Sequence, residues 1–246
     1  MDTTNLKTRM NTKVQALSER EPGTSQYLAL TSNALELIQE NLKHQPLSFQ
    51  LFDMVKSPSG GSTVFSVPGL SGEEAEKELT GIILDYTTPR AYWATSDPVE
   101  GMPPTCLSKD SLISEDGKAC AHCPFNDFGS KDGDSPAKAC KESVLLFLLR
   151  PGSVFPLLVR VPVTSKKCFL KYTTRLTSRM TPLSSVVTKI TLEKATSREG
   201  KPYALFHFDA VQILDQETAA KAREFGKQFM EFVNAADVEP VFTQAS

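Results

Sequence analysis

A chain of 246 residues, 40% of them apolar, is long enough for one large domain or two small ones and apolar enough to build a core. Its longest apolar run, Val144 to Leu149, falls far short of the roughly 20 residues that cross a bilayer. Lys7, Arg9 and Lys13 lead into Ser18, Glu19, Arg20 and Glu21 rather than an apolar block, so neither a membrane span nor a signal peptide is expected and the protein reads as cytoplasmic.

The net charge of −2 is unevenly spread. Residues 1–143 carry 13 Lys and Arg against 20 Asp and Glu, residues 144–214 carry 11 against 3, and residues 215–246 carry 3 against 6. A middle segment of net +8 suggests a polyanionic partner, or pairing with the acidic rest of the molecule.

In chain order, residues 1–26 are polar and include the breaker Glu21-Pro22-Gly23, which predicts a mobile arm. Residues 27–80 predict a helix and hairpin packed on the core. Asn33 caps a helix with Leu35, Ile38 and Leu42 on one face; Leu47 to Val55 and Ser62 to Val67 are strands joined by Lys56-Ser57-Pro58-Ser59-Gly60-Gly61; Glu73 to Leu79 makes a helical turn. Residues 81–93 read as one long strand, bent at Pro89. Residues 144–150 and 156–162 form a hairpin about Pro151-Gly152. Thr164 or Ser165 caps a helix over 164–180 with Phe169, Tyr172 and Leu176 inward, and Pro182 stops it. Strands over 186–195 and 202–214 follow, and residues 215–246 give a helix and tail, opened by Asp215 or Thr218, with Ala222, Phe225 and Phe229 on its buried side.

Between the first two core strands lies residues 106–140, where Cys106, Cys120, Cys123 and Cys140 fall. Cys120-Ala121-His122-Cys123 is a C-x-x-C, which brings two thiolates to one tetrahedral ion from a single turn. In a reducing compartment clustered cysteines favour a metal over disulfides. The expected cofactor is a structural Zn2+, since four thiolates close the shell and leave no place for a catalytic water. Four thiolates also hold iron–sulfur clusters, and His122 is the alternative donor to Cys106 or Cys140.

Three strands, a helix and two strands is the order of an OB-type five-stranded barrel, so the expected fold is α+β, mainly β: a core over 81–214 with the zinc loop inserted between its first two strands. Over roughly residues 79–214 this order, together with Cys106, Cys120, Cys123 and Cys140, resembles the bacteriophage single-stranded DNA-binding proteins, whose OB-type core carries a cysteine-rich zinc subdomain. The resemblance implies a protein that coats single strands during phage or mobile-element replication and recombination, with replication or recombination proteins as further partners. Those relatives recruit partners through a strongly acidic tail; Ala235-Ala236-Asp237-Val238-Glu239-Pro240 is only mildly acidic.

Single strands are held by a basic groove for phosphates and aromatic faces for bases. The candidates on the first strand are Arg90, Tyr92 and Trp93; on the later strands Arg150, Arg160, Lys189 and Lys194; on the helix Lys166, Lys167, Lys171 and Arg175; in the metal loop Phe125 and Phe128. For each a structural role competes: a buried tryptophan, a solvated helix face, a cap over the zinc core. No phosphate loop, G-x-S-x-G or H-E-x-x-H is present, so no enzyme is expected. The rivals are a zinc-containing protein-interaction module and a metal-dependent nuclease using Asp85 or Asp209.

Overall fold

The structure, a computed structural model, describes residues 26–30, 34–43, 51–95, 102–131, 136–197 and 200–235. The expected arm up to residue 25, the cap Asn33, the first part of the strand expected from Leu47 and the tail beyond residue 235 lie outside them. The strands are β1 (Met54–Val55), β2 (Phe65–Gly69), β3 (Gly72–Glu76), β4 (Glu78–Thr87), β5 (Arg90–Tyr92), β6 (Cys106–Ser108), β7 (Lys141–Glu142), β8 (Val144–Leu149), β9 (Leu157–Val161), β10 (Val186–Thr196) and β11 (Pro202–Ile213). The helices are α1 (Ala34–Leu42), α2 (Val163–Thr177) and α3 (Gln216–Ala235), and none among the described residues is long and apolar enough to cross a membrane. The fold is α+β and mainly β.

The centre is a six-stranded sheet in the order β1-β9-β8-β4-β10-β11. Val144-Leu145-Leu146-Phe147-Leu148-Leu149 is apolar without alternation because β8 is buried on both faces. Val144, Leu146 and Leu148 join Ile83, Ile190, Phe206 and Phe208 against Phe169, Tyr172 and Leu176 of α2. Leu145, Phe147 and Leu149 face the other way, toward Tyr27, Phe52, and Ala222 and Phe229 of α3. The 3.6-residue period of both helices sets these inward rows. At Gly81 the strands β4 and β8 come so close that a Cβ would stand 2.4 Å from the Leu149 carbonyl oxygen.

Several expectations need correction. The sheet is open and no barrel is closed. Among the described residues β11 pairs with β10 alone, while the outer edge of β9 is taken by β1 in parallel, Met54 opposite Leu158 and Val55 opposite Val159. The gap is filled by side chains, with Phe65 of β2 lying 5.7 Å edge-on to Phe206 of β11.

The N-terminal hairpin joins different segments from those expected: β2 pairs with β3, and the expected helical turn over Glu73 to Leu79 is extended. A two-residue reversal between Gly69 and Gly72, with Gly72 at φ +124, makes that hairpin, and Ser66 donates to Glu73 across it. The strand expected over 81–93 is two strands, since Pro89 ends the ladder and β5 leaves for a separate three-stranded sheet, β6-β5-β7.

Neither Thr164 nor Ser165 caps α2. Pro162 holds that place, and buried Ser165 accepts a hydrogen bond from the Phe206 N–H instead. The helix also stops at Thr177, short of residue 180. Asp215 does cap α3, its carboxylate accepting from the Thr218 N–H at 2.9 Å.

Candidate metal centre and nucleic-acid interface

The small sheet β6-β5-β7 gathers the cysteines. Tyr92 on β5 pairs with Cys106 on β6, and Ala91 pairs with Lys141, the residue after Cys140, on β7. Two 3-10 turns, Cys120–His122 and Pro124–Asn126, carry the C-x-x-C. Gly117, at φ +76, turns the chain beneath them in a reversal closed by the Ser114 N–H on the Lys118 carbonyl. Hydrogen bonds from the Cys120 N–H to Leu112 and from the Cys140 N–H to Phe125, both 2.8 Å, tie the turns to the sheet ends.

As a result Cys106, Cys120, Cys123 and Cys140 all line one cavity of about 40 Å³, closed by Arg90, Tyr92 and Phe125. All four are free thiols, as is Cys168 on α2. Burial pushes the Cys140 thiol up to about 12, and burial also raises Cys106. Burial thus favours the protonated forms of Cys106 and Cys140, so a cation bound there would have to displace those protons. Among the described residues no three His, Cys, Asp or Glu side chains are drawn together as ligands of one ion. The donor set, four soft sulfurs around a single cavity, nevertheless fits a thiophilic cation. His122 is exposed and does not line the cavity.

Arg90, expected in the nucleic-acid groove, is buried and works as a joint. It donates to Glu142 at 3.1 Å, to Ser111 at 3.4 Å and to Asn126, whose own amide donates to the Cys120 carbonyl at 3.0 Å. Glu142 also accepts from Lys166 at the start of α2. One carboxylate therefore joins the cysteine module to the core. Trp93 is buried too, packing with Ala91 and Leu107 and donating to the Met102 carbonyl at 3.0 Å. Tyr92 is half-buried and stacked on Phe125 with ring centroids 4.0 Å apart. Neither ring is a free platform.

The strand cations are largely engaged as well. Arg150 makes a two-pronged pair with Glu76 at 2.8 and 2.9 Å, Lys189 lies 3.9 Å from Glu78, and Arg160 is half-buried with a partner. One face of the central sheet is covered by α2, and the other by α3 with Tyr27 and Phe52. What remains open is a stripe of Lys167, Lys171 and Arg175 on α2, continued by Arg179; all four are exposed and, among the described residues, form no ion pair. α2 contains no carboxylate. Lys194 is also exposed.

Three lysines went unnoticed in the sequence: Lys131, Lys138 and Lys141. They belong to the acidic first segment, whose sum of −7 hid them. The usable signal was local, three lysines following Phe125 and Phe128 in one short stretch. Phe128 is 82% exposed, and the Lys138 ammonium sits 4.6 Å over its ring. Asp85 and Asp209 are not a pair: Asp209 stands opposite Lys189, which stands opposite Thr80, so Asp85 is farther along β4 with β10 between them.

Compared with known proteins, the chain matches no family model, no curated protein and no solved structure.

Proposed function

We propose that the protein is a non-enzymatic single-stranded DNA-binding protein acting in phage or mobile-element replication or recombination. The observation that carries this reading is the α2 stripe, in which Lys167, Lys171 and Arg175 are exposed on an element without a single acid, with exposed Arg179 just beyond its end. A solvated helix face in a protein of net negative charge ordinarily mixes signs. An unopposed row of cations instead suits a phosphate backbone, whose counterions it releases. Strands β4, β8, β9, β10 and β11 have the neighbours of an OB-type core, and we read them as such a core left open, with its customary face buried. The site is therefore displaced to the outer surface of α2.

In this reading Cys106, Cys120, Cys123 and Cys140 hold a structural Zn2+, which would replace four protons and lock the two turns of the module to β6 and β7. Arg90 and Glu142 then pass that order to the first turn of α2.

A labelled thymidine oligonucleotide titrated at low and at moderate salt tests the function. Affinity is expected to fall steeply with salt, with a log–log slope of about −0.7 per phosphate contacted. Absence of binding at low salt would remove the proposal.

A further inference from the structure

The exposed ring of Phe128 has no structural employment that explains it. It lies on a lobe held by backbone bonds from Gly129 to Pro136 and from Lys131 to Ala137, each 3.2 Å, and by Ser130, which donates to Asp127 and accepts from Ala139. The phenylalanine is 82% exposed on a well-tied lobe and meets the Lys138 ammonium at its ring, which leaves ring surface open to a further partner. Its neighbour Phe125 shows the contrast, since that ring is stacked on Tyr92 over the cysteine cavity.

The lysines around it are arranged with some continuity. Lys138 bonds Asn126 at 3.0 Å, so its position is fixed by the same residue that holds Arg90. Lys141 is exposed on β7. The next residue, Glu142, is bound to Lys166, and the residue after Lys166 is Lys167, where the helix stripe begins. In sequence, Lys141 and Lys167 each adjoin one partner of that contact. Asp132 and Asp134, which follow Lys131 in sequence, lie outside the described residues.

Resting on the reading above as a single-stranded DNA-binding protein, we infer that the strand crosses the cysteine module before it reaches α2, with Phe128 stacked on a base and Lys138 and Lys141 contacting phosphates. Aromatic stacking is indifferent to base identity because every base has a π face, and an ammonium held at the ring adds attraction for the adjoining phosphate. The module is then part of the binding surface, and its metal would order the stacking lobe.

The test uses the full-length chain and the thymidine oligonucleotide. Phe128→Ala is expected to bind about tenfold more weakly, the lower part of the stacking range. Phe128→Trp should restore affinity, and its emission should be quenched on binding, a signal readable because the native Trp93 is buried. Lys141→Ala should lower the magnitude of the salt slope by about one contact. If Phe128→Ala binds like the wild type while Lys171→Ala is weakened, the strand runs along the helix alone; this inference is then overturned and the functional reading stands. If the wild type fails to bind at low salt, both fall.

Discussion

The central sheet and the cysteine module are built by opposite means. In the sheet, β8 is wholly buried, aromatic rings from α2 and α3 meet it on either side, and order comes from apolar area removed from water. Among the described residues of the module the buried apolar group is Ala91, Trp93 and Leu107, order comes from short backbone bonds and one buried guanidinium, and four free thiols line a cavity. The difference teaches where each region is fragile: the first fails when volume is lost, the second when a polar contact is lost.

The largest expected effect sharpens the first half of that contrast. Phe147→Ala removes a fully buried ring 5.9 Å from Phe229 and should cost about 3–5 kcal/mol, read as a lower denaturant midpoint. Phe128→Ala, by the same measurement, should stay within about 0.5 kcal/mol of the wild type because that ring is exposed. Equal losses at the two sites would break the comparison.

Gly81→Ala comes next. Its methyl would meet the Leu149 carbonyl, and backbone cannot swing aside as a side chain does, so a loss of about 1–3 kcal/mol is expected in denaturant melts. For the module, Glu142→Gln leaves Arg90 and Lys166 without their shared carboxylate. It should cost about 1–3 kcal/mol, concentrated in the amides of β5, β7 and the first turn of α2 when followed by hydrogen exchange. A uniform loss across the sheet would contradict the role of Glu142 as a joint.

The smallest effect is at the start of α3. Hydrogen bonds from the Thr218 hydroxyl and N–H hold the Asp215 carboxyl below its usual range. Because the folded value is the lower one, the stabilisation is complete above the ordinary aspartate pKa of about 3.9 and fades as pH falls through the folded value. Asp215→Asn keeps a capping oxygen without the charge. Its thermal midpoint should fall slightly below the wild type at neutral pH, and the gap should close in acid. A gap that widened in acid would reverse the sign.

The sheet was largely legible in the sequence because burial leaves a pattern. The unbroken apolar run of β8, the helical spacing of Phe169, Tyr172 and Leu176, and the cap at Asp215 all have local causes, and each element lies close to where it was expected. Closure had no such signature. Whether β9 pairs with β11 or with β1 depends on contacts between distant segments, and the two residues of β1 carry no mark of their parallel partner. Glu73 and Glu74 read as helix formers, yet the Gly69 to Gly72 reversal overrode that preference.

In the module, the four cysteines line one cavity; the C-x-x-C turns are local, while Cys106 and Cys140 arrive on the small sheet. The cations were harder to read. Arg90 and Arg150 differ from Lys171 only in having Glu142 and Glu76 beside them in space, and those partners are 52 and 74 residues away in sequence. Trp93 was similarly ambiguous, because a strand side chain's face is known only once the sheet it joins is known.

The proposal that a metal on its thiols holds the module, while apolar packing holds the core, is tested most directly by hydrogen exchange with and without a strong chelator. The prediction is that chelation strips protection from the described amides between Cys106 and Cys140 and leaves β8 and β10 as slow as before. Unchanged protection in the module, or loss of protection in β8 along with it, would contradict the division.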